Sequence, residues 1–394
     1  MIIRRGVISI KRLLVFLLAV YGLFLPFEEI IVLPSGSLLG VLGIMIMALC
    51  LIMKMTYTVD RFFLFLFVWL LYSAASYFWA PSFAAWKYYF MIYAGQTAFL
   101  FLVSQQELDR KDLCFVKKGL ITGTLIAALI IILFPVQANF TSDGRRTILI
   151  AGMKMDPNIL SAVIIVGFYS CLDLFFHHEL KKKTVLIGIC AILAVGVVLT
   201  GSRGGVISLT LSALYMLLFF PEENRNQRRK HLIWIAGAAL VLAAAYRALP
   251  NNALLHRFNI GSLFGQEEYR NGAHNRYFIW KSALALFLQR PMFGYGCGGF
   301  FQVIATVYRR AAAHNMLVLE LVELGLVGTL PLGLALVGLI RNVRSSVNYA
   351  DRGLLLAVLL ISMTLDTLVY KYFWITLLFV LLSCRAAETE EAEN

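Results

Sequence analysis

Three short stretches of the 394-residue chain carry residue types suited to handling a phosphorylated substrate. The first, Thr200-Gly201-Ser202-Arg203-Gly204-Gly205, joins two apolar runs. Its glycines permit a sharp turn, and the Arg203 guanidinium offers a fork of donors matched to phosphate oxygens. The second begins at His274-Asn275-Arg276 and repeats apolar residues at 279, 280, 283, 284, 286 and 287, the spacing of an amphipathic helix. It passes through Arg290-Pro291 into the glycine-rich Phe293-Gly294-Tyr295-Gly296-Cys297-Gly298-Gly299. The pattern predicts a helix lying on a membrane face, then a turn; the strand that a dinucleotide site requires is missing. The third is Ala313-His314-Asn315, where a long polar segment re-enters an apolar run bearing Glu320 and Glu323. A neutral imidazole there can act as a general base. The competing reading is structural, with His314 capping the helix that follows. Glu320 either orients polar groups or only packs.

Other basic residues gather near the same ends of apolar runs: Lys87, Arg145, Arg146, Lys154 and Lys371. Snorkelling explains any one of them. As a set they suggest substrate contacts, because charge close to apolar depth is costly. Asp156-Pro157-Asn158 reads as a helix start, with Asp at the N-cap and Pro at the first helical position. Asp366, Tyr370, Lys371 and Trp374 read as an interfacial anchor. The sequence offers no external DxD, HExxH, P-loop or GxSxG, so neither a metal nor a cofactor is expected.

The elements that must position these residues follow from composition. The chain is 60% hydrophobic and 14% charged, with mean hydropathy +0.79. A soluble domain is about 25% charged, and one soluble core could not bury this much apolar surface. A soluble enzyme, a disordered chain and a disulfide-stapled module are excluded, and continuous apolar runs exclude a transmembrane β-barrel. The six cysteines form no CxxC pair and read as buried small hydrophobes. Twelve runs can span a membrane: 13–33, 38–53, 62–80, 84–103, 116–134, 157–176, 184–201, 204–220, 232–248, 315–340, 353–369 and 372–384. With the N-terminus inside, short inner segments hold 21 basic residues and short outer loops hold 6. The net charge of +13 is therefore topological, nucleic acid is not an expected partner, and both termini are inside. Residues 249–314 then form one large extracytoplasmic loop, and the acidic tail after Glu388 reads as a frayed end.

Taken together, Thr200–Gly205, Arg276 with Trp280 and Pro291–Gly296, and His314-Asn315 with Glu323–Gly328 resemble the O-antigen ligase family of bacterial membrane glycosyltransferases. That family includes related polysaccharide polymerases and protein O-oligosaccharyltransferases. The resemblance is close over about 190–330, with a related core over 185–345 inside a single polytopic domain, 1–394. It implies an all-α integral membrane protein of about twelve transmembrane helices, C-type glycosyltransferase-like, whose long outer loop contains amphipathic helices. It implies a bacterial inner-membrane location with the active site outside, a polyprenyl-diphosphate-linked glycan donor, a glycan or lipid-core acceptor, and inverting, metal-independent transfer. Arg203 and Arg276 would hold the diphosphate and His314 would be the catalytic base. Arg145, Arg146, Lys87, Lys371, Asn315 and Asn158 are candidate substrate contacts, and membrane lipids are partners. Ligase and polymerase are not separated by any residue. A lipid-linked glycan transporter, another cell-envelope membrane protein without transferase activity, and a cell-wall polymerase of the shape-and-division type are the alternatives.

Overall fold

A computed structural model describes residues 2–33, 36–54, 56–138, 144–177, 180–219, 276–345 and 349–393. The apolar run 232–248 and residues 249–275 of the long loop lie outside the described residues. The helices are α1 (Ile2–Phe24), α2 (Leu38–Met53), α3 (Arg61–Ala75), α4 (Phe83–Ser104), α5 (Arg110–Leu133), α6 (Pro157–His177), α7 (Leu180–Leu199) and α8 (Arg203–Leu218). After the undescribed stretch come α9 (Arg276–Gln289), α10 (Phe300–Val307), α11 (Met316–Ser345), α12 (Tyr349–Ser362) and α13 (Lys371–Glu393). Among the described residues, five helical stretches are long and apolar enough to cross a membrane: Ile10–Phe27, Arg61–Phe78, Arg110–Leu133, Pro157–Phe176 and Met316–Val343. Leu38–Met53 and Lys183–Leu199 are shorter and apolar. Large apolar side chains such as Leu64, Leu71, Val185, Leu211 and Leu330 point outward, as a lipid-facing surface requires.

Among the described residues the architecture is helical, with three two-residue antiparallel hairpins confined to connections: Val32–Leu33 with Gly36–Ser37, Val136–Gln137 with Arg146–Thr147, and Leu149–Ile150 with Met153–Lys154. Three features depart from the sequence expectation. The run 13–33 is not one helix. Pro26, which lacks an N–H, sits in a 3-10 turn at Leu25–Phe27, and Glu28 and Glu29 leave the helix. The run 353–369 stops at Ser362, and residues 363–370 form a connection containing a short 3-10 turn, Thr367–Val369. There Ser362 and Thr364 donate their hydroxyls to the carbonyls of Val358 and Ile361, the local bonding that competes with helix continuation. The acidic tail is helical through Glu393 rather than frayed.

Close approach of α1 and α5 rests on two glycines four apart. A Cβ at Gly119 or Gly123 would lie 2.1 Å from the carbonyl oxygen of Ala19 or Leu23. Small residues at this spacing let helix backbones touch inside a membrane. Gly119→Ala is expected to force α1 and α5 apart and cost about 1–3 kcal/mol, the usual penalty of overpacking. A melting temperature in detergent equal to wild type would refute that.

At one end of the bundle Lys117 of α5 is buried against Asp173 of α6 (2.8 Å) and Asp351 of α12 (3.4 Å), with the Phe379 ring of α13 at 5.5 Å. Charges at this depth need partners, and these join four helices. The opposite end carries the polar connections described next.

Candidate functional site

Glycine geometry assembles the first part of the site. Helix α11 breaks at Gly325, whose φ of +63° L-residues rarely adopt. The break frees backbone groups that pair with the chain after α9. Leu326 and Val327 donate to the carbonyls of Pro291 and Met292 (2.8 and 3.1 Å), and Tyr295 and Gly296 donate to those of Val322 and Glu323. The Glu323 carboxylate accepts the N–H groups of Gly298 (2.7 Å) and Phe300 (3.0 Å) at the start of α10. The Pro291–Gly299 and Glu323–Gly328 motifs are thus one backbone-locked unit, and Glu323 is its clamp. Glu320 accepts a bond from Trp69 Nε1 at 2.8 Å, deep in the bundle.

This unit fixes α9 against the start of α11. The indole of Trp280, one turn after Arg276, donates to the carbonyl of Ala313 at 2.9 Å. His314 follows with φ of +50°. Asn315 is the helix cap: its Oδ1 accepts the N–H of Val318 (3.1 Å) and its Nδ2 donates to the carbonyl of Met363 (3.1 Å). The capping role read as an alternative for His314 therefore belongs to its neighbour. The Asp366 carboxylate accepts the backbone N–H of Asn315 at 3.0 Å and also that of His314, and it feels the His314 and Arg276 side chains electrostatically. Burial holds this carboxyl above the ordinary range, while His314, both N–H groups and Arg276 pull it down. Asp366 was expected to be an anchor; it is the joint of the site.

The connection carrying Asp366 also meets the start of α8. A Cβ on Gly204 would lie 2.4 Å from the Thr364 hydroxyl, and one on Gly205 would lie 2.6 Å from the Ser161 hydroxyl of α6. Ser202 caps α8 by accepting the N–H of Gly205. Arg203 is half-buried, with no hydrogen-bond or ion-pair partner among the described residues. A cation at a helix N-terminus lies against the positive end of the helix dipole, so an anion is the natural complement of this turn.

The remaining candidates divide. Arg145 bridges Asn158 Oδ1 (2.9 Å) and the carbonyl of Thr200 (3.3 Å), tying the start of α6 to the turn before Arg203. Asp156 caps α6, accepting the N–H of Asn158 at 2.7 Å as expected. Arg146 holds the end of α5 through the carbonyls of Ile131 and Ile132 (3.3 and 3.4 Å). Lys154 donates to the carbonyl of Gln137. Lys87 is exposed on α4. Lys371 is ion-paired with Glu28, and Trp374 is buried and donates to the carbonyl of Leu368, so neither is an interfacial anchor. Exposed Tyr77, Phe78, Phe83 and Tyr88 instead supply aromatic side chains at this end. Sequence reading missed Glu28, Glu29 and the role of Asp366. Each interrupts an apolar run with a charge, and that was the available signal.

The fold and site define a multi-helix membrane protein of all-α class, with arginines, a histidine and an aspartate gathered at one end of the bundle. Residues 188–333 match the model of the O-antigen ligase family. The match supports a membrane glycosyltransferase of the ligase or polymerase kind, and with the apolar helices it points to a bacterial membrane protein. The stretch contains Arg203, Arg276, His314 and Asn315 and excludes Glu28, Glu29, Arg145, Asn158, Asp366 and Lys371. A Haemophilus influenzae protein described as an "uncharacterized protein" is 25% identical over 188 residues, 43% of this chain and 46% of the relative. The chain thus matches under half the length of that relative. In a solved structure described as "Structural coordination of polymerization and crosslinking by a peptidoglycan synthase complex", one chain is similar at 15% identity. That similarity covers 84% of this chain and 98% of the other, with a TM-score of 0.44.

Proposed function

We propose that the chain transfers a glycan from a polyprenyl-diphosphate carrier to an acceptor sugar hydroxyl, at the extracytoplasmic face of the bacterial inner membrane. The observation that carries this reading is the meeting of Arg276, His314 and Asp366 on the connection that also packs against the Arg203 turn. Arg203 and Arg276 hold the diphosphate, whose developing charge they neutralise in place of a metal. The acceptor hydroxyl gives its proton to the His314 imidazole as its oxygen bonds to the anomeric carbon. The bond from that carbon to the diphosphate oxygen breaks, and its electron pair leaves with the diphosphate. Attack from the face opposite the leaving group inverts the anomeric centre. Asp366 holds the backbone of His314 and its negative charge favours the protonated imidazole. Arg145 acts at one remove, by anchoring the turn that presents Arg203.

The reading is tested with purified protein and a polyprenyl-diphosphate-linked glycan, by following release of polyprenyl diphosphate and formation of the new glycosidic bond. Absence of both in well-folded protein would end it. Its topology is tested separately. A cysteine placed at residue 266, in a background lacking the native cysteines, should react with an impermeant reagent in intact cells, whereas one within 221–231 should not. Labelling of residue 266 only after the inner membrane is broken would move the site to the wrong side.

Asp366→Asn keeps an oxygen for both N–H groups but removes the charge. Transfer should fall about 10–100-fold, the value of one charge-assisted contact. The pH dependence has a definite sign. The charged carboxylate is the working form, so its contribution is present above its pKa and lost as pH falls through it. Because burial raises that pKa, the acid limb begins above the range of an ordinary carboxylate. The Asn variant should lack this limb, and an unchanged pH profile would exclude Asp366 from the mechanism.

A further inference from the structure

Beside the arginine half of the site lies a second, acidic half. Glu29 accepts the backbone N–H of Asp156 through Oε2 at 2.9 Å, and its Oε1 has no partner among the described residues. Asp156 uses Oδ1 for Asn158, and its other oxygen likewise has no described partner. Glu28 is ion-paired with Lys371. Tyr370, half-buried, lies in the electrostatic field of Glu29, Asp156, Asp366 and Glu28, and its hydroxyl makes no hydrogen bond among the described residues. Its ring stacks on that of Tyr372, with centroids 6.0 Å apart and planes at 13°. Tyr372 is 0% exposed, and its hydroxyl is a buried group without a partner among the described residues. The charged groups nearest it include Asp366, Glu28 and Asp156. A buried polar group left unpaired is costly, and a sugar oxygen would give this phenol the partner it lacks among the described residues.

We propose that Glu29 and Asp156, with the phenols of Tyr370 and Tyr372, form the acceptor subsite, which takes a neutral, hydroxyl-rich sugar. The proposal rests on the glycosyltransferase reading above and names the substrate class of that site. Unused carboxylate oxygens accept bonds from sugar hydroxyls, and phenols donate to sugar oxygens. A diphosphate would be repelled here, which leaves this half to the other substrate. A uronate or phosphorylated sugar would be repelled in the same way. Asp366 joins the halves, so a hydroxyl bound on the acidic side lies toward His314. Burial raises the Glu29 carboxyl to about 7, and a neighbouring anion would raise it further, consistent with a preference for neutral ligands.

The experiment uses full-length protein in proteoliposomes and two separate readouts. Undecaprenyl diphosphate alone is the probe of donor binding. A lipid-linked glycan from host membranes is the probe of transfer, with the fate of the glycan, acceptor or water, scored by mass spectrometry. The double variant E29Q/D156N keeps oxygens for the existing backbone bonds and loses both charges. Tyr370→Phe removes one hydroxyl only. Both should bind undecaprenyl diphosphate as wild type does, transfer about tenfold more slowly or worse, and send a larger share of glycan to water. Acceptor glycan whose primary hydroxyls have been oxidised to carboxylates should be used about tenfold less well by wild type, with a smaller gap in E29Q/D156N. Unchanged transfer in the double variant, equal use of both acceptors by wild type, or parallel loss of undecaprenyl diphosphate binding would each overturn the proposal. Wild-type protein that neither binds undecaprenyl diphosphate nor moves glycan would instead overturn the glycosyltransferase reading, a result scored before any variant is made.

Discussion

Glycan transfer by the His314→Asn variant is expected to fall about 10²–10⁴-fold, the usual contribution of a general base, while affinity for undecaprenyl diphosphate stays at the wild-type value. The structure makes asparagine the discriminating substitution. His314 has φ of +50°, a conformation that asparagine tolerates far better than alanine or any β-branched residue. The cap of α11 is the side chain of Asn315, not of His314. The backbone N–H of residue 314 that Asp366 accepts is present whatever the side chain. His314→Asn therefore leaves the turn, the cap and the Asp366 contact in place and deletes only the imidazole. His314→Ala adds conformational strain, and a loss there would be ambiguous. Matched membrane expression and an unchanged melting temperature are the folding controls. Near-wild-type transfer by the Asn variant would make His314 structural and leave the reaction without an identified base.

The contrast between what the sequence displays and what it hides has a physical origin. Helix positions are legible because a span is a local property: about twenty consecutive apolar residues suffice, and α2, α4 and α6 begin and end within a residue or so of the apolar runs. Arg203, Arg276 and His314 are legible because each sits at the edge of such a run, where chemistry-bearing residue types stand out. The partners of these residues are not local. Asp366 meets Asn315 across 51 positions, and Lys371 meets Glu28 across 343. Nothing in the spacing of either residue announces the other. Hydropathy averaging also absorbs single charges, which is how Glu28 and Glu29 pass as part of a span when Pro26 has already ended the helix. Asp173, inside the run 157–176, is concealed alike, and only the fold shows that Lys117 neutralises it together with Asp351, which precedes the run 353–369. The general lesson concerns cost. An ionisable residue inside an apolar run has to be paired or functional, so each one is a prediction of a long-range contact before its partner is known. Glu323 illustrates the other ambiguity. Its carboxylate satisfies two N–H groups of the glycine-rich turn, so a motif that reads as chemistry turns out to be the support of the chemistry.

Arg203→Lys and Arg276→Lys test the opposite half of the site. Each keeps a positive charge and loses the planar fork of donors that grips two phosphate oxygens at once. Removing one preorganised donor to a developing negative charge commonly costs about 10²–10³ in rate, and either variant should fall in that range. The two positions differ in a way that separates binding from turnover. Arg203 stands at the N-terminus of α8 with no described partner, so the cation and the helix dipole both favour an anion there. Lysine retains that attraction, and Arg203→Lys should lose rate more than it loses affinity for undecaprenyl diphosphate. Arg276 lies in the field of Asp366, on a helix pinned at Ala313 by Trp280. A mobile ammonium at 276 can turn toward that carboxylate instead of the ligand, so Arg276→Lys should lose affinity and rate together. If the guanidinium pair carries the diphosphate charge, transfer should also persist in EDTA. Wild-type turnover in both lysine variants would remove the arginines from the mechanism, and loss of activity in EDTA with recovery on adding a divalent cation would show that a metal shares their role.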